Sequence, residues 1–200
     1  MAMFEVRIHG RGGQGVVTAA EMLSIAAFEE GRHAQAFPSF GSERTGAPVV
    51  AFCRIADAEI RLREPVMQPD ALIIQDPTLL HQVDVFAGLK PGGYILINTN
   101  KSFVELGLGD LIKDWPPERL CTVSATELGQ KHVGRPMPNV PLLGGFAAVS
   151  GVIQLASVIK AINAKFSGKV ASGNIAGATE AFNIVRAEME EAKHKEATHA

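Results

Sequence analysis

Six residues near the start of the chain offer the clearest chemistry. Gly10-Arg11-Gly12-Gly13-Gln14-Gly15 satisfies the spacing G-x-G-x-x-G. Glycines at those positions permit a tight turn and let backbone N–H groups approach an anion. A helix that starts after them adds the positive end of its dipole. Arg11, inside the loop, supplies a charge able to bond a phosphate oxygen. The same spacing also serves close packing of a strand on a helix, so the pattern alone leaves both uses open. Its dinucleotide form needs a further acidic residue, about 20 positions on at a strand tip, to hold ribose hydroxyls. Here that stretch reads Arg32-His33-Ala34-Gln35-Ala36-Phe37, and Glu29 and Glu30 precede Gly31 at the expected helix end. The loop suits a phosphate, while the nicotinamide-nucleotide signature is incomplete.

A second unusual segment follows. Pro38-Ser39-Phe40-Gly41-Ser42-Glu43-Arg44-Thr45-Gly46-Ala47-Pro48 has a proline at each end, two glycines and an adjacent Glu-Arg pair, with almost no apolar periodicity. Loops this rich in special residues serve sites or interfaces more often than they serve as spacers. The alternative is an ordinary surface loop with a solvated Glu43 and Arg44. Elsewhere the constellations for chemistry are poor. His9, His33, His81, His132, His194 and His199 show no metal-ligand spacing, and neither a nucleophile elbow nor a phosphate loop of the hydrolase type is present. Asp76 either lines a site at its strand end or turns the chain with Pro77, and turn formation is the preferred reading. No catalytic residue and no metal site is assigned within this chain.

The composition narrows the classes further. Nineteen basic against 21 acidic residues leave a net charge of −2, which gives no electrostatic reason to expect nucleic acid or an anionic membrane as partner. Cys53 and Cys121 stand alone, whereas an iron–sulfur or zinc site needs about four ligands, usually in close pairs. Unpaired cysteines and the lack of an apolar leader after Met1 point to the reducing cytoplasm.

The elements that must position these loops are legible in outline. Residues 4–9 alternate as a strand does, and Val16, Ala19, Ala20, Leu23, Ala26 and Ala27 recur at helical spacing up to Gly31. Further strands are expected at 49–55, 71–76, 94–98 and 121–125, with a short helix near 79–87. The near-continuous apolar run Ala71-Leu72-Ile73-Ile74 is typical of a parallel strand buried on both faces. Residues 142–159 form the longest apolar stretch, read as a buried helix or one packed on a partner subunit, not as a membrane span. A last helix is expected at about 174–193, with Ile175, Phe182, Val185 and Met189 on one side. The expectation is one α/β domain over residues 1–190 and a solvated tail at 191–200. Its open, mostly parallel sheet has helices on both faces and a Rossmann-like glycine loop after the first strand.

Taken together, the two loops resemble the gamma subunit of the 2-oxoacid:ferredoxin oxidoreductases, the pyruvate:ferredoxin oxidoreductase family. The first loop of that family, G-x-G-G-Q-G, is matched by Gly10, Gly12, Gly13, Gln14 and Gly15. Its second loop is matched by Phe40, Gly41, Glu43, Gly46, Ala47 and Pro48, with Ser42 standing for a proline and Thr45 for an arginine or glycine. Arg135-Pro136-Met137-Pro138-Asn139, Leu143-Gly144-Gly145-Phe146 and the segment from Asn174 onward are similar to later parts of the family.

The resemblance implies a subunit and not a complete enzyme. In the family, thiamine diphosphate with Mg2+ lies between the alpha and beta subunits, and [4Fe-4S] clusters lie in the beta and delta parts. The gamma part covers the active-site entrance and contributes to binding coenzyme A. By that resemblance Gly10, Arg11, Gly12, Gly13, Gln14 and Gly15 would meet a phosphate of coenzyme A. Phe40, Gly41, Ser42, Glu43, Arg44, Thr45 and Gly46 would form the entrance or interface loop. The reaction implied is oxidative decarboxylation of a 2-oxoacid to an acyl-coenzyme A, with electrons passing to ferredoxin or to an NAD-reducing subunit. The substrate stays open between pyruvate, branched-chain and aromatic 2-oxoacids. A free-standing NAD(P)-dependent oxidoreductase and a non-enzymatic nucleotide-binding module are the alternatives.

Overall fold

Strand β1 (Phe4–Arg11) sits inside the sheet and divides its side chains between two environments. Val6 and Ile8 enter the main apolar core, while Arg7 and His9 are buried on the opposite face. The computed structural model describes residues 3–39 and 44–199. Around β1 it arranges β2 (His33–Pro38), β3 (Pro48–Ala56), β4 (Ala71–Ile74), β5 (Tyr94–Asn98) and β6 (Leu120–Val123) in the order β2-β3-β1-β4-β5-β6. β1, β4, β5 and β6 pair in parallel, and β3 alone runs against its neighbours β1 and β2. The α/β class and the mostly parallel sheet are as expected. β2 is the strand that sequence patterning missed. Its core-facing residues are Ala34 and Ala36, whose small side chains give little strand signal but leave room for the helix above them.

The two faces are covered unequally. On one lie α1 (Val16–Glu29), α4 (Asn139–Ser150), α5 (Leu155–Lys165) and α6 (Gly168–His199), packed on Val6, Ile8, Cys53, Ile55, Ile73, Leu96 and Val123, with α3 (Ala125–Val133) docked beside α6. The other face of β4, β5 and β6 is covered by shorter pieces. They are the 3-10 helix η1 (Pro77–His81), the four-residue α2 (Gly109–Ile112) and connecting loops that bring in Val85, Phe103 and Trp115. A second 3-10 helix, η2 (Pro117–Arg119), leads into β6. The helix expected at 79–87 is only η1. The Arg7 guanidinium donates to Val85 O at 2.9 Å and Ala87 O at 2.6 Å and so anchors the loop that follows η1.

The apolar stretch at 142–159 is not one helix. It breaks at Gly151, whose φ of 61° ends α4 before α5 begins. α4 is buried over almost its whole surface between the sheet and α6, so its apolar residues are core of this chain and not a partner-facing stripe. Among the described residues, no helix is long and apolar enough to cross a membrane. α6 begins at Gly168, earlier than the expected 174, and continues to His199, with Glu191 and Lys193–Lys195 exposed. Ile175, Phe182, Val185 and Met189 meet the core as their spacing indicated.

α4 and α6 cross at a glycine. A Cβ on Gly144 would stand 2.0 Å from Ala178 O, a backbone atom with no means of yielding. Gly144→Ala is therefore expected to lower stability by about 1–3 kcal/mol, read as a fall in the thermal midpoint. Gly109→Ala, where an added Cβ meets nothing within 4 Å, is the neutral control.

Candidate functional site

The carboxyl end of β1 carries the glycine loop, and the antiparallel β3 delivers the second loop to the same place. Gly12 N–H donates to Ala47 O at 2.9 Å and Gly46 N–H donates to Gly12 O at 3.0 Å, an isolated bridge that joins the two segments. The approach is close enough that a Cβ on Gly12 would stand 2.3 Å from Arg44 O. The structure thus brings Gly10, Arg11, Gly12, Gly13, Gln14 and Gly15 together with Arg44, Thr45 and Gly46. Phe40, Gly41, Ser42 and Glu43 lie outside the described residues.

A third segment completes the cluster. Asn139, at the start of α4, donates from Nδ2 to Gly15 O at 3.3 Å. Gly15 takes φ 70° as the residue that caps α1, and a Cβ there would run into Asn139 Nδ2. Gly10 is likewise pressed against Val16. Three of the loop glycines are therefore accounted for by packing within the chain. Gly13 is different: it is exposed, and the space where a Cβ would sit is open. Beside it, the first turn of α1 holds N–H groups without intrahelical partners, has no acidic residue and has no side-chain cap. An anion there would meet unopposed donors.

Arg11 does not extend freely toward that opening. Nε lies 3.2 Å from Asp76 Oδ2, Nη1 donates to Gly46 O at 3.0 Å, and Nη2 donates to Thr78 Oγ1 and Gln82 Oε1, each at 2.8 Å. Gln14 closes the ring. Its Nε2 donates to Asp76 Oδ2 at 2.8 Å and its Oε1 accepts from Arg11 N–H. Asp76 also caps η1 by accepting from Thr78 N–H, the chain-turning use preferred from the sequence. Burial works to raise its carboxyl, but Thr78, Gln14 and Arg11 outweigh burial and hold it below the ordinary carboxylate value. Thr78, Gln82 and Asn139 were not assigned to the site from residue patterns. The only local signal was Asp76-Pro77-Thr78 as a helix start, and Asn139 entered only through the family resemblance.

Beneath the loop the strand ends are polar and ordered. Asn98 donates to Gln75 O and Thr126 Oγ1, both at 2.8 Å, and accepts from Thr126 N–H. A small cleft of about 220 Å3 opens there, lined by Pro77, Asn98, Thr99, Ser124, Thr126 and Glu127. A larger cleft, about 720 Å3, lies farther along, between α3 and α6. Glu127, Glu180, Glu188 and Glu191 line it, and its Lys131 is already paired with Glu180 at 2.8 Å. That acid-rich wall repels an anionic ligand, so size does not make it the phosphate site. Among the described residues, no three His, Cys, Asp or Glu side chains converge as a metal ion would require.

Likeness to known proteins now bears on this geometry. Residues 5–184 match the family described as pyruvate ferredoxin/flavodoxin oxidoreductase. A Thermococcus kodakarensis protein named pyruvate/ketoisovalerate oxidoreductases common subunit gamma is 49% identical over 181 residues, 90% of this chain and 96% of its own length. A Methanosarcina barkeri protein named pyruvate synthase subunit PorC is 50% identical over 186 residues, 93% and 99% of the two lengths. The crystal structure of pyruvate oxidoreductase subunit PORC from Thermotoga maritima superposes with a TM-score of 0.77 at 35% identity, over 91% of this chain and 96% of that one. This chain belongs to the pyruvate ferredoxin/flavodoxin oxidoreductase family. Within the family it is a gamma-type subunit of a multi-subunit 2-oxoacid oxidoreductase, and the reading as a free-standing NAD(P) enzyme is set aside.

The residue before the glycine loop carries a pH signature. His9 Nε2 accepts from Arg7 Nε at 3.0 Å, so the neutral ring is what the site holds. Burial, reinforced by the Arg7 charge, pushes His9 down to about 4. An unfolded histidine takes up its proton near pH 6.5, so between about 6.5 and 4 the unfolded chain binds more protons than the folded one. Stability is expected to fall as pH is lowered through that window, by about 3 kcal/mol at most from this group. His9→Gln should flatten that part of the stability–pH curve, measured by denaturant unfolding at several pH values.

Proposed function

We propose that this subunit places coenzyme A at the entrance of a 2-oxoacid oxidoreductase active site. In this reading Gly13, Gln14, Gly15 and the first turn of α1 receive a phosphate of the coenzyme, and Arg44, Thr45 and Gly46 form the adjoining wall. The observation that carries it is an uncapped, acid-free helix start beside an open Gly13, at the carboxyl end of β1. In open α/β sheets that is where ligands sit. Arg11 is charge-compensated by Asp76, so the attraction rests mainly on backbone N–H groups and the helix dipole.

When bound, coenzyme A supplies the thiol that accepts the acyl group. The loop's contribution is to hold and orient it, raising its local concentration at the reacting centre. Thiamine diphosphate, Mg2+ and the [4Fe-4S] clusters belong, in this reading, to alpha-, beta- and delta-type partners, with ferredoxin or an NAD-reducing subunit as electron acceptor. The assembly is assigned to the cytoplasm. The Thermococcus relative is named as common to pyruvate and ketoisovalerate oxidoreductases. A shared gamma subunit suits a part that handles the coenzyme, which both reactions use, and leaves 2-oxoacid selection to other subunits.

Hydrogen exchange on the assembled oxidoreductase, with and without coenzyme A, tests the assignment. Amides of residues 13–18 are expected to slow by about tenfold or more on saturation. Unchanged exchange there, with protection confined to other subunits, would remove the coenzyme from this chain.

A further inference from the structure

We infer that Arg11 and Asp76 act together as a positioning pair that seats residues 44–47 on the glycine loop, and that Arg11 is not itself a phosphate ligand. The part of this inference that concerns the coenzyme rests on the coenzyme A reading above.

The argument is one of donor count and geometry. A guanidinium has five N–H groups in a planar fork. Four of them are engaged within the chain, on Asp76, Gly46 O, Thr78 and Gln82. Those partners come from different stretches of sequence, so one side chain ties η1 and its cap to the second loop while its own backbone belongs to the first. Asp76 fixes the fork from the other side. Its Oδ2 receives both Arg11 and Gln14, and its Oδ1 receives Thr78. The backbone bridge between Gly12 and residues 46–47 continues the β1–β3 ladder beyond Arg11 and Pro48 with two hydrogen bonds. Arg11 Nη1 on Gly46 O adds the third link at the same point.

The two possible roles of Arg11 predict opposite signs for one substitution. A phosphate ligand restrained by Asp76 would be released by Asp76→Asn, and coenzyme A would bind more tightly. A positioning pair would be broken by it, and the coenzyme would bind more weakly. Arg11→Lys serves as a second variant, because a single ammonium cannot span the four partners. Gln82→Ala is a mild third, removing one partner and leaving the carboxylate in place.

The experiment uses the assembled oxidoreductase with each variant subunit, and takes two readouts. Without coenzyme A, exchange of the Gly12 and Gly46 amides is expected to rise by about tenfold in Asp76→Asn and in Arg11→Lys, with the double variant no worse than either single one. With substrates, KM for coenzyme A is expected to rise about three- to tenfold, while KM for the 2-oxoacid stays within about twofold. A lower KM for coenzyme A in Asp76→Asn, or unchanged exchange at Gly12 and Gly46, would overturn the pair. Faster exchange with an unchanged KM for coenzyme A would support the pairing of the loops and retire the coenzyme assignment, so the two failures are separable.

Discussion

The register of β3 on β1 is the constraint from which the site follows. The two strands pair antiparallel without interruption from Phe4 opposite Ile55 to Arg11 opposite Pro48. That alignment delivers residues 44–47 to the mouth of the glycine loop, where Gly12 exchanges hydrogen bonds with Gly46 and Ala47. A slip of one residue would turn Cys53 and Ile55 out of the core and Arg54 into it, so the hydrophobic effect enforces the register. Arg54 belongs on the polar side of β3, where Nε meets Glu5 at 2.8 Å and Nη2 donates to Glu64 O at 2.6 Å. A contact that looks local to the site is thus set by burial along the whole strand.

The face of the sheet opposite the long helices combines a smaller apolar cluster with ties made by guanidinium groups. Arg7 fastens the 83–89 segment through two carbonyls, Arg54 fastens the segment around Glu64, and Arg11 fastens η1 and the second loop. A long helix would satisfy its own backbone groups; short connections cannot, and buried carbonyls need donors from elsewhere. Guanidinium forks reach several acceptors at once. The arrangement costs desolvation, visible in the neutral His9 beside Arg7, and it leaves Arg54 Nη1 buried with no partner among the described residues.

The buried α4 changes how the subunit's association is understood. An apolar, glycine-containing stretch can read as a partner surface, yet here the glycines let α4 and α6 come into backbone contact inside one chain. The contacts that the family role requires must therefore use other surfaces. The loop cluster at the carboxyl ends of β1 and β4 is where the proposed coenzyme site lies.

Residue patterns were enough to locate the α/β class, most strands, the first helix and both special loops, because glycine spacing and apolar periodicity report on the local backbone directly. They missed β2, whose alanines carry little signal, and they merged α4 with α5, because a left-handed Gly151 looks like any other glycine in an apolar run. They also extended a helix over 79–87, where the structure has η1 (Pro77–His81) followed by a loop that Arg7 anchors at Val85 O and Ala87 O. Family membership was legible because the two motifs occur together. The partners of Arg11 were not. Its side chain type invites a phosphate, but Asp76, Thr78, Gln82 and Gly46 converge on it only once β1, β3 and β4 lie side by side. What a charged residue binds depends on which groups the fold carries to it, and that information is spread over contacts between residues far apart in the chain.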